Sequence, residues 1–197
     1  EDVGILRTIP GMTIISPADS LETVKALEAA IIFEKPTYIR LTGSSNNPIV
    51  YKKNYNFKIG KSITLCEGKD ITLFCAGAMV SLGIRVSKEL SQKKISCEVI
   101  NMHTIKPIDV KAIENSTNAK LIVSLEEHNI IGGLGSAISE VLSGLGVNTK
   151  LLRLGIKDVY TKGGSYKHLL TKNRLTEEKI IEDILKVYTW SHNGKFK

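Results

Sequence analysis

Hydrophobic positions in residues 1–50 follow two periods. Short β-branched runs at Met12–Ser16 and Thr37–Leu41 are typical of strands. Between them, apolar residues recur at helical spacing, at Leu21, Val24, Leu27, Ala30 and Ile31. The pattern predicts a βαβ unit over residues 12–41, in which the two strands run parallel because the helix connects them.

The predicted helix has recognisable ends. Asp19 is followed three residues later by Glu22, which is a variant of the capping box at a helix N-terminus. Lys35 and Pro36 end the helix, since proline cannot continue it. The stretch from Thr42 to Gly60 is rich in asparagine, serine and glycine and has few periodic apolar residues. It predicts a connector, and we place a domain boundary between residues 45 and 60.

The remaining sequence alternates between strand and helix patterns. The predicted strands are Ser62–Leu65, Ile71–Cys75, Ile95–Ile100, Leu121–Leu125 and Thr149–Leu154, and the predicted helices are Met79–Gln92, Asp109–Ser116, Leu134–Leu145 and Glu177–Val187. Leu121–Leu125 has little in-out alternation, which indicates a strand buried on both faces. The order predicts an α/β fold, with a mostly parallel sheet covered by helices on both faces.

The charge pattern supports the boundary and argues against nucleic acid as a partner. The 197 residues carry a net charge of +7, but residues 1–50 contribute −2 and residues 51–197 contribute +9. Only five of the 27 basic residues are arginines, and no basic run exceeds a pair of lysines. Phosphate-binding proteins usually concentrate arginine on one face, so we expect no nucleic-acid binding.

The cysteines and the hydropathy indicate a reducing compartment and no membrane. Cys66, Cys75 and Cys97 are an odd number without a CxxC spacing, which favours reduced core thiols in a cytoplasmic protein over a disulfide or a metal site. No stretch approaches the ~20 apolar residues of a membrane span.

Polar residues follow four predicted strands, where ligands collect in open parallel sheets. These strand ends carry Arg40, Ala76-Gly77, His103 and Glu126-Glu127-His128. An arginine at a strand end can hold a carboxylate or a phosphate, and the alternative is an ion pair with a carboxylate of the same chain. For Arg40, residue spacing leaves both open. His103, His168 and His192 stand apart in the sequence, so we expect no metal site.

The loop from Glu126 to Ser136 leads from a strand into a helix and contains three glycines. Its free N–H groups could bind phosphate, but Ile138 stands where the dinucleotide fingerprint has its third glycine. Tight packing of helix against sheet is the favoured interpretation. Adjacent residues of an extended segment point in different directions, so for Glu126, Glu127 and His128 we favour anchoring of the loop by hydrogen bonds over a shared acid/base or metal site.

Four parts of the sequence, in order, resemble the transketolase family of thiamine-diphosphate enzymes. Residues 1–19 are similar to a passage of the pyrimidine-binding domain that typically reads E-D-x-x-x-L-R-x-I-P-x-M-x-V-x-x-P-A-D. Pro36–Leu41 resembles the next strand of that domain. The chain also resembles the C-terminal domain of the family, first at Val123–Ala137 and then at Leu154–Tyr160, Gly163–Ser165 and Leu175–Ile180. Within this family, the sequence is most similar to the separate C-terminal subunits of bacterial split transketolases.

The resemblance implies two parts: a C-terminal remnant of the pyrimidine-binding domain at residues 1–50 and a transketolase C-terminal domain at residues 51–197. The opening at Glu1 and Asp2 indicates a polypeptide entered in mid-domain. Thiamine diphosphate and Mg²⁺ are implied for the complete enzyme, with their ligands outside this chain, because the family's Gly-Asp-Gly motif is absent and its activating glutamate precedes Glu1. We expect no catalytic, cofactor-binding or metal-binding residue here, and an inactive isolated chain.

The family's reaction implies the partners. A complete transketolase transfers a two-carbon ketol unit between phosphorylated ketose and aldose sugars of pentose phosphate metabolism. The implied partners are a phosphorylated sugar, an N-terminal transketolase half and, for the complete enzyme, a second copy in a homodimer. Arg40 aligns with the family's strand-end arginine, which contacts the sugar phosphate, so the resemblance implies substrate binding by Arg40. The resemblance also implies that Gly132–Gly135 serves to pack the helix against the sheet and does not bind phosphate.

Three alternatives remain open. Deoxyxylulose-phosphate synthases tend to have a second arginine two residues beyond the first, where this chain has Thr42. The beta subunit of a 2-oxo-acid dehydrogenase is another member of the superfamily. From a different class, the chain could serve mainly as a dimerisation or docking module.

Overall fold

The computed structural model describes residues 1–42 and 47–193. Its strands are β1 (Thr13–Ile15), β2 (Thr37–Ile39), β3 (Ile63–Cys66), β4 (Ile71–Cys75), β5 (Cys97–Asn101), β6 (Thr104–Lys106), β7 (Leu121–Asn129) and β8 (Leu151–Ile156). Its α-helices are α1 (Asp2–Arg7), α2 (Ser20–Phe33), α3 (Met79–Gln92), α4 (Val110–Asn115), α5 (Leu134–Leu145), α6 (Tyr166–Lys172) and α7 (Glu177–Asn193), and a 3₁₀ turn follows α4 at Ser116–Asn118.

The predicted βαβ unit is confirmed. β1 and β2 are parallel, with Ile14 opposite Tyr38, and α2 connects them. A third strand that the pattern did not predict, β6, pairs antiparallel with the other side of β1. This small sheet therefore combines strands from both sides of the connector.

The larger sheet confirms the predicted α/β fold. Its order is β3-β5-β4-β7-β8, in which β5, β4, β7 and β8 are parallel and the edge strand β3 is antiparallel. Leu121–Leu125 is fully buried, as its continuous apolar run predicts.

Helices cover both faces of this sheet. Because side chains alternate along a strand, Leu73 and Cys75 of β4 face one core and Phe74 faces the other. The first core is closed by apolar residues of α3 and α7. The second is closed by α4 and α5 together with Val3 of α1 and Ile14 of β1. The first fifty residues therefore share a core with the rest of the chain.

The capping pair at α2 joins the helix to the connector. Asp19 Oδ1 accepts a hydrogen bond from the N–H of Glu22 at 2.9 Å, and Glu22 Oε2 accepts from the N–H of Ala18. Asp19 Oδ2 also accepts from the N–H groups of Val50 and Tyr51, at 2.8 Å each. One carboxylate therefore caps the helix and holds the connector.

The predicted connector contains no helix or strand at residues 47–60, and the part at residues 43–46 lies outside the described residues. Among the described helices, none is both long enough and apolar enough to cross a membrane.

Candidate functional site

The topology of the larger sheet singles out one edge. β4 leads into α3 on one face and β7 leads into α5 on the other, so the connections diverge between these neighbouring strands. Ligands of open α/β sheets bind at such a switch point, outside the carboxyl ends of the strands. The residues at this edge are Ala76–Ala78 after β4 and Glu126–Asn129 at the end of β7.

Arg40 joins this edge from the smaller sheet. It follows β2, and its backbone N–H continues the ladder by donating to Ile15 O at 2.8 Å. Its Nε donates to Asp2 Oδ2, also at 2.8 Å. The structure therefore contains the ion pair with a carboxylate of the same chain that was one of the two interpretations of Arg40.

Asp2 is the acceptor for two side chains. Tyr38 OH donates to the same Oδ2 atom at 2.8 Å, and this bond raises the pKa of the tyrosine. Partial burial raises the pKa of Asp2, but hydrogen bonds from Arg40 and Tyr38 outweigh burial and hold that pKa at about 2. Asp2 is thus ionised at neutral pH and fixes the orientation of the guanidinium.

A small cavity lies where these elements meet. It has a volume of about 20 Å³, enough for about one water molecule. Residues from every predicted strand end except His103 line it: Arg40, Ala76, Gly77, Glu126, Glu127 and His128. The sequence-based expectation that strand ends converge is met for three of the four.

His128 is held in one tautomer. Its Nδ1 lies 2.7 Å from the carbonyl oxygen of Asn129 and so donates to it. Burial lowers the pKa of His128, and the ring is therefore neutral at pH 7. Its Nε2 is buried, lies 3.7 Å from Asp2 Oδ1 and has no hydrogen-bond partner among the described residues.

Glu126 caps α5, which confirms the anchoring role expected for it. Its two oxygens accept from the N–H groups of Leu134 and Gly135 at 2.6 and 2.8 Å. The carboxylate therefore takes the place that a phosphate has in dinucleotide-binding sheets. A Cβ on Gly133 would lie 1.9 Å from Glu126 Oε2, so glycine is required for this close approach. Glu127 accepts a hydrogen bond from Tyr166 OH at 2.7 Å.

His103, the fourth candidate, lies away from the cavity. Its ring stacks on Phe57 at 4.2 Å and its Nδ1 lies 2.9 Å from Thr104 Oγ1. Burial lowers the pKa of His103 to about 4, so it is neutral at pH 7. Cys66, Cys75 and Cys97 are free thiols. Within residues 1–42 and 47–193, no group of three or more His, Cys, Asp or Glu is placed to hold a metal.

Asp2 is the residue that sequence reasoning missed. Arg40 lies 38 residues away from it in the sequence, and no local spacing relates the two. The signal that could have drawn attention to Asp2 is its acidic character, because acidic residues are favoured in the first turn of a helix and Asp2 begins α1.

The fold and the site describe an α/β protein in which a strand-end arginine of a small sheet meets the switch point of a larger one. Residues 60–180 match the model for the C-terminal domain of transketolase, and residues 1–47 match the model for the transketolase pyrimidine-binding domain. The chain belongs to the transketolase family.

Individual relatives agree with this assignment. The chain is 37% identical over 187 residues to a Methanocaldococcus jannaschii protein assigned as a transketolase C-terminal section, covering 94% of this chain and 58% of the relative. It is 37% identical over 184 residues to a 6-deoxy-6-sulfo-D-fructose transketolase subunit of Clostridium sp. strain MSTE9, covering 92% of this chain and 56% of the relative.

A solved structure matches over nearly the whole chain. It is described as a split-gene transketolase, an inactive β4 tetramer, and superimposes with a TM-score of 0.87 at 33% identity, covering 96% of this chain and 61% of that one. The chain thus spans a little over half the length of each of these three relatives.

Proposed function

We propose that the chain is the C-terminal part of a transketolase that transfers a two-carbon ketol unit between phosphorylated ketose and aldose sugars. Its partner in this proposal is an N-terminal transketolase half. The matches to both family domains and to separate transketolase subunits support this assignment. The proposed setting is cytoplasmic sugar metabolism.

In this proposal Arg40 binds the phosphate of the sugar. The observation that carries it is the bond from Arg40 Nε to ionised Asp2 at a strand end that faces the switch point. A guanidinium has five N–H donors, so one bond to a carboxylate can fix its direction while other donors bind an anion. Each hydrogen bond to a charged group contributes about 1.5–3 kcal/mol.

Thiamine diphosphate and Mg²⁺ belong to the complete enzyme in this proposal. The described residues of this chain do not fit them: the cavity at the switch point is about 20 Å³, far smaller than a diphosphate, and the N–H groups at the start of α5 already bind Glu126. When bound, the cofactor supplies a nucleophilic carbon for attack on the ketose carbonyl. The residues of this chain bind and orient substrate, and the isolated chain is inactive.

The test uses the chain combined with its N-terminal half. We expect Arg40→Ala to raise the Michaelis constant for a phosphorylated aldose by about 10- to 100-fold, because one or two charged hydrogen bonds are lost. The Michaelis constant for glycolaldehyde, an acceptor without phosphate, should stay within about twofold. Equal values of the first constant for wild type and Arg40→Ala would refute the assignment of Arg40.

The same preparation separates the alternative reactions. Xylulose 5-phosphate with ribose 5-phosphate reports transketolase activity, and pyruvate with glyceraldehyde 3-phosphate reports the deoxyxylulose-phosphate synthase reaction. We expect turnover of the first pair. Turnover of the second pair alone would replace the proposed function with the synthase, and pyruvate oxidation in an acyltransferase complex would indicate the dehydrogenase subunit.

A second proposed role is self-assembly. Val24, Leu27 and Ile31 lie on one side of α2 and are 54%, 54% and 72% exposed, and Ile32 beside them is 81% exposed. Exposed apolar patches mark interaction surfaces. Because the split-gene relative is described as a tetramer of β chains, we propose a second copy of this chain as the occupant of this face.

A further inference from the structure

The switch point of the larger sheet is filled by the chain's own first helix. Val3 of α1 is 3% exposed and belongs to the core beneath α5. Arg7 Nη1 donates to the carbonyl oxygen of Gly132 at 2.9 Å, in the loop between β7 and α5. Arg7 also pairs with Glu140 of α5, whose side chain is 65% exposed. Helix α1 thus docks where related folds bind a ligand.

The docking contact is backbone against backbone. A Cβ built on Gly132 would lie 2.8 Å from Gly4 Cα, closer than Cβ atoms approach other groups. Gly132 also has φ of +77°, a conformation that other residues rarely adopt. A Cβ on Gly4 would instead lie 3.4 Å from the nearest atom, an ordinary contact. The residue that limits how closely α1 can approach the loop is therefore Gly132 and not Gly4.

The loop that receives α1 is held rigidly. The N–H of Gly132 donates to Ser136 Oγ at 2.9 Å, and the N–H of Ile131 donates to Asn129 Oδ1 at 2.8 Å. Glu126 accepts from two further N–H groups of this segment, at Leu134 and Gly135. The loop is consequently a fixed platform.

The other end of α1 carries Asp2, the partner of Arg40. A helix of six residues is not stable in isolation, so its tertiary contacts determine where it lies. Lys106 Nζ donates to the carbonyl oxygens of Arg7 and Ile9 at 2.7 Å each and fixes the C-terminal end of α1. The direction of Arg40 thus depends on contacts at Arg7, Gly132 and Lys106.

We propose that Gly132 and Arg7 are positioning residues for the anion-binding arginine: by docking α1 on the glycine loop, they set the position of Asp2 and through it the guanidinium of Arg40. The loop that resembles a phosphate-binding loop therefore serves anion binding indirectly, at a site on the other sheet. This inference rests on the proposed role of Arg40 in binding the substrate phosphate.

The first test adds one methyl group in the combined enzyme. We expect Gly132→Ala to raise both the Michaelis constant for the phosphorylated aldose and the inhibition constant of inorganic phosphate by about tenfold, since small displacements of a binding group are costly. The Michaelis constant for glycolaldehyde should remain within about twofold. Gly146→Ala is the matched control, because Gly146 has φ of +65° with nothing within 4 Å of a Cβ, and it should alter neither constant.

A second pair of variants covers the case in which Gly132→Ala does not fold. Arg7→Ala removes the bond to the Gly132 carbonyl and should shift the phosphate-dependent constants in the same direction. Glu140→Ala removes only the exposed partner of Arg7 and should leave them unchanged.

The outcomes separate this inference from the proposed function. If Arg40→Ala raises the phosphate-dependent constants while Gly132→Ala and Arg7→Ala do not, the positioning role is wrong and the role of Arg40 stands. If Arg40→Ala itself has no effect, the proposed phosphate site is wrong and the inference falls with it. An equal rise for glycolaldehyde in Gly132→Ala and Arg7→Ala would show general disruption and overturn the inference.

Discussion

At the scale of single residues, Glu126 shows how burial and hydrogen bonding compete. Burial raises its pKa from the ordinary 4.5 to about 7, although the N–H groups of Gly135 and Leu134 and the nearby Arg153 and Arg7 favour the ionised form. His128 Nδ1 lies 3.9 Å away, but burial holds that ring neutral. Glu126 consequently changes its charge near neutral pH.

This pKa predicts a pH-dependent stability. Between about pH 4.5 and 7 the native state keeps a proton that the unfolded chain has lost, so the contribution of Glu126 to the free energy of unfolding falls by about 3 kcal/mol as pH rises. Urea unfolding of wild type and Glu126→Gln at about pH 5 and about pH 8 measures it as the difference between the two proteins, because His103 and His128, whose pKa values burial lowers, act in the opposite direction in both. The stability of wild type relative to Glu126→Gln should fall by about 3 kcal/mol over this range, while Glu127→Gln, one residue along β7, serves as the control. An unchanged pH profile in Glu126→Gln would contradict the prediction.

The candidate site could be predicted in part from the sequence. Arg40, Ala76-Gly77 and Glu126–His128 were identifiable because each follows an apolar strand, and strand ends of parallel sheets converge. Asp2 was not identifiable, since its role depends on where α1 docks. His103 does follow strand β5, as predicted, but its ring stacks on Phe57 instead of lining the cavity, and nothing in the sequence pattern indicated that contact.

At the scale of elements, the helix caps of this chain differ in the number of backbone N–H groups that their side chains bind. Asp19 accepts three backbone N–H groups, one from its own helix and two from the connector. Nearby, Glu22 accepts from Tyr55 OH and from Asn101 of β5, which ties the connector to the larger sheet. By contrast, Ser165 caps only its own helix, by accepting from the N–H of His168.

We therefore expect the two caps to differ in substitution experiments. Asp19→Ala should lower the free energy of unfolding by about 3 kcal/mol, because it removes a helix cap and leaves two further N–H groups unpaired. Ser165→Ala should cost about 1 kcal/mol or less, as an exposed local cap. Urea denaturation measures both, and faster proteolysis within residues 47–60 should accompany Asp19→Ala alone. Equal losses for the two variants would show that Asp19 acts only as a cap.

Helices α3 and α5 were predicted closely, α7 continues to Asn193 beyond its predicted end at Val187, and three short elements were not predicted. The bounds of α3 and α5 agree with the pattern at both ends, since 12 to 14 residues give several helical turns of periodicity. α1, β6 and α6 have three to seven residues and form because of tertiary contacts, such as the bonds from Lys106 to α1. The stripe on α2 predicted a helix correctly, yet the most buried positions of that helix are Glu22 and Ala26.

At the scale of the whole molecule, the exposed side of α2 predicts concentration-dependent association. Sedimentation velocity of the purified chain should show species larger than the monomer. Because a lysine ammonium is costly to bury, Leu27→Lys combined with Ile31→Lys should weaken the association at least about tenfold. Val110→Lys, at a 43% exposed position on α4, is the matched control. A wild-type chain that stays monomeric at all concentrations would contradict the assembly role.

The antiparallel pairing of β6 with β1 has a consequence for synthesis. On the ribosome, β1, α2 and β2 emerge well before Lys106. One side of β1 therefore stays unpaired until β6 has emerged. Domains usually fold as units in the order of their translation, but here the first unit cannot finish until part of the second has been made. A ribosome stalled shortly before residue 104 should therefore expose a nascent chain on which chaperones act.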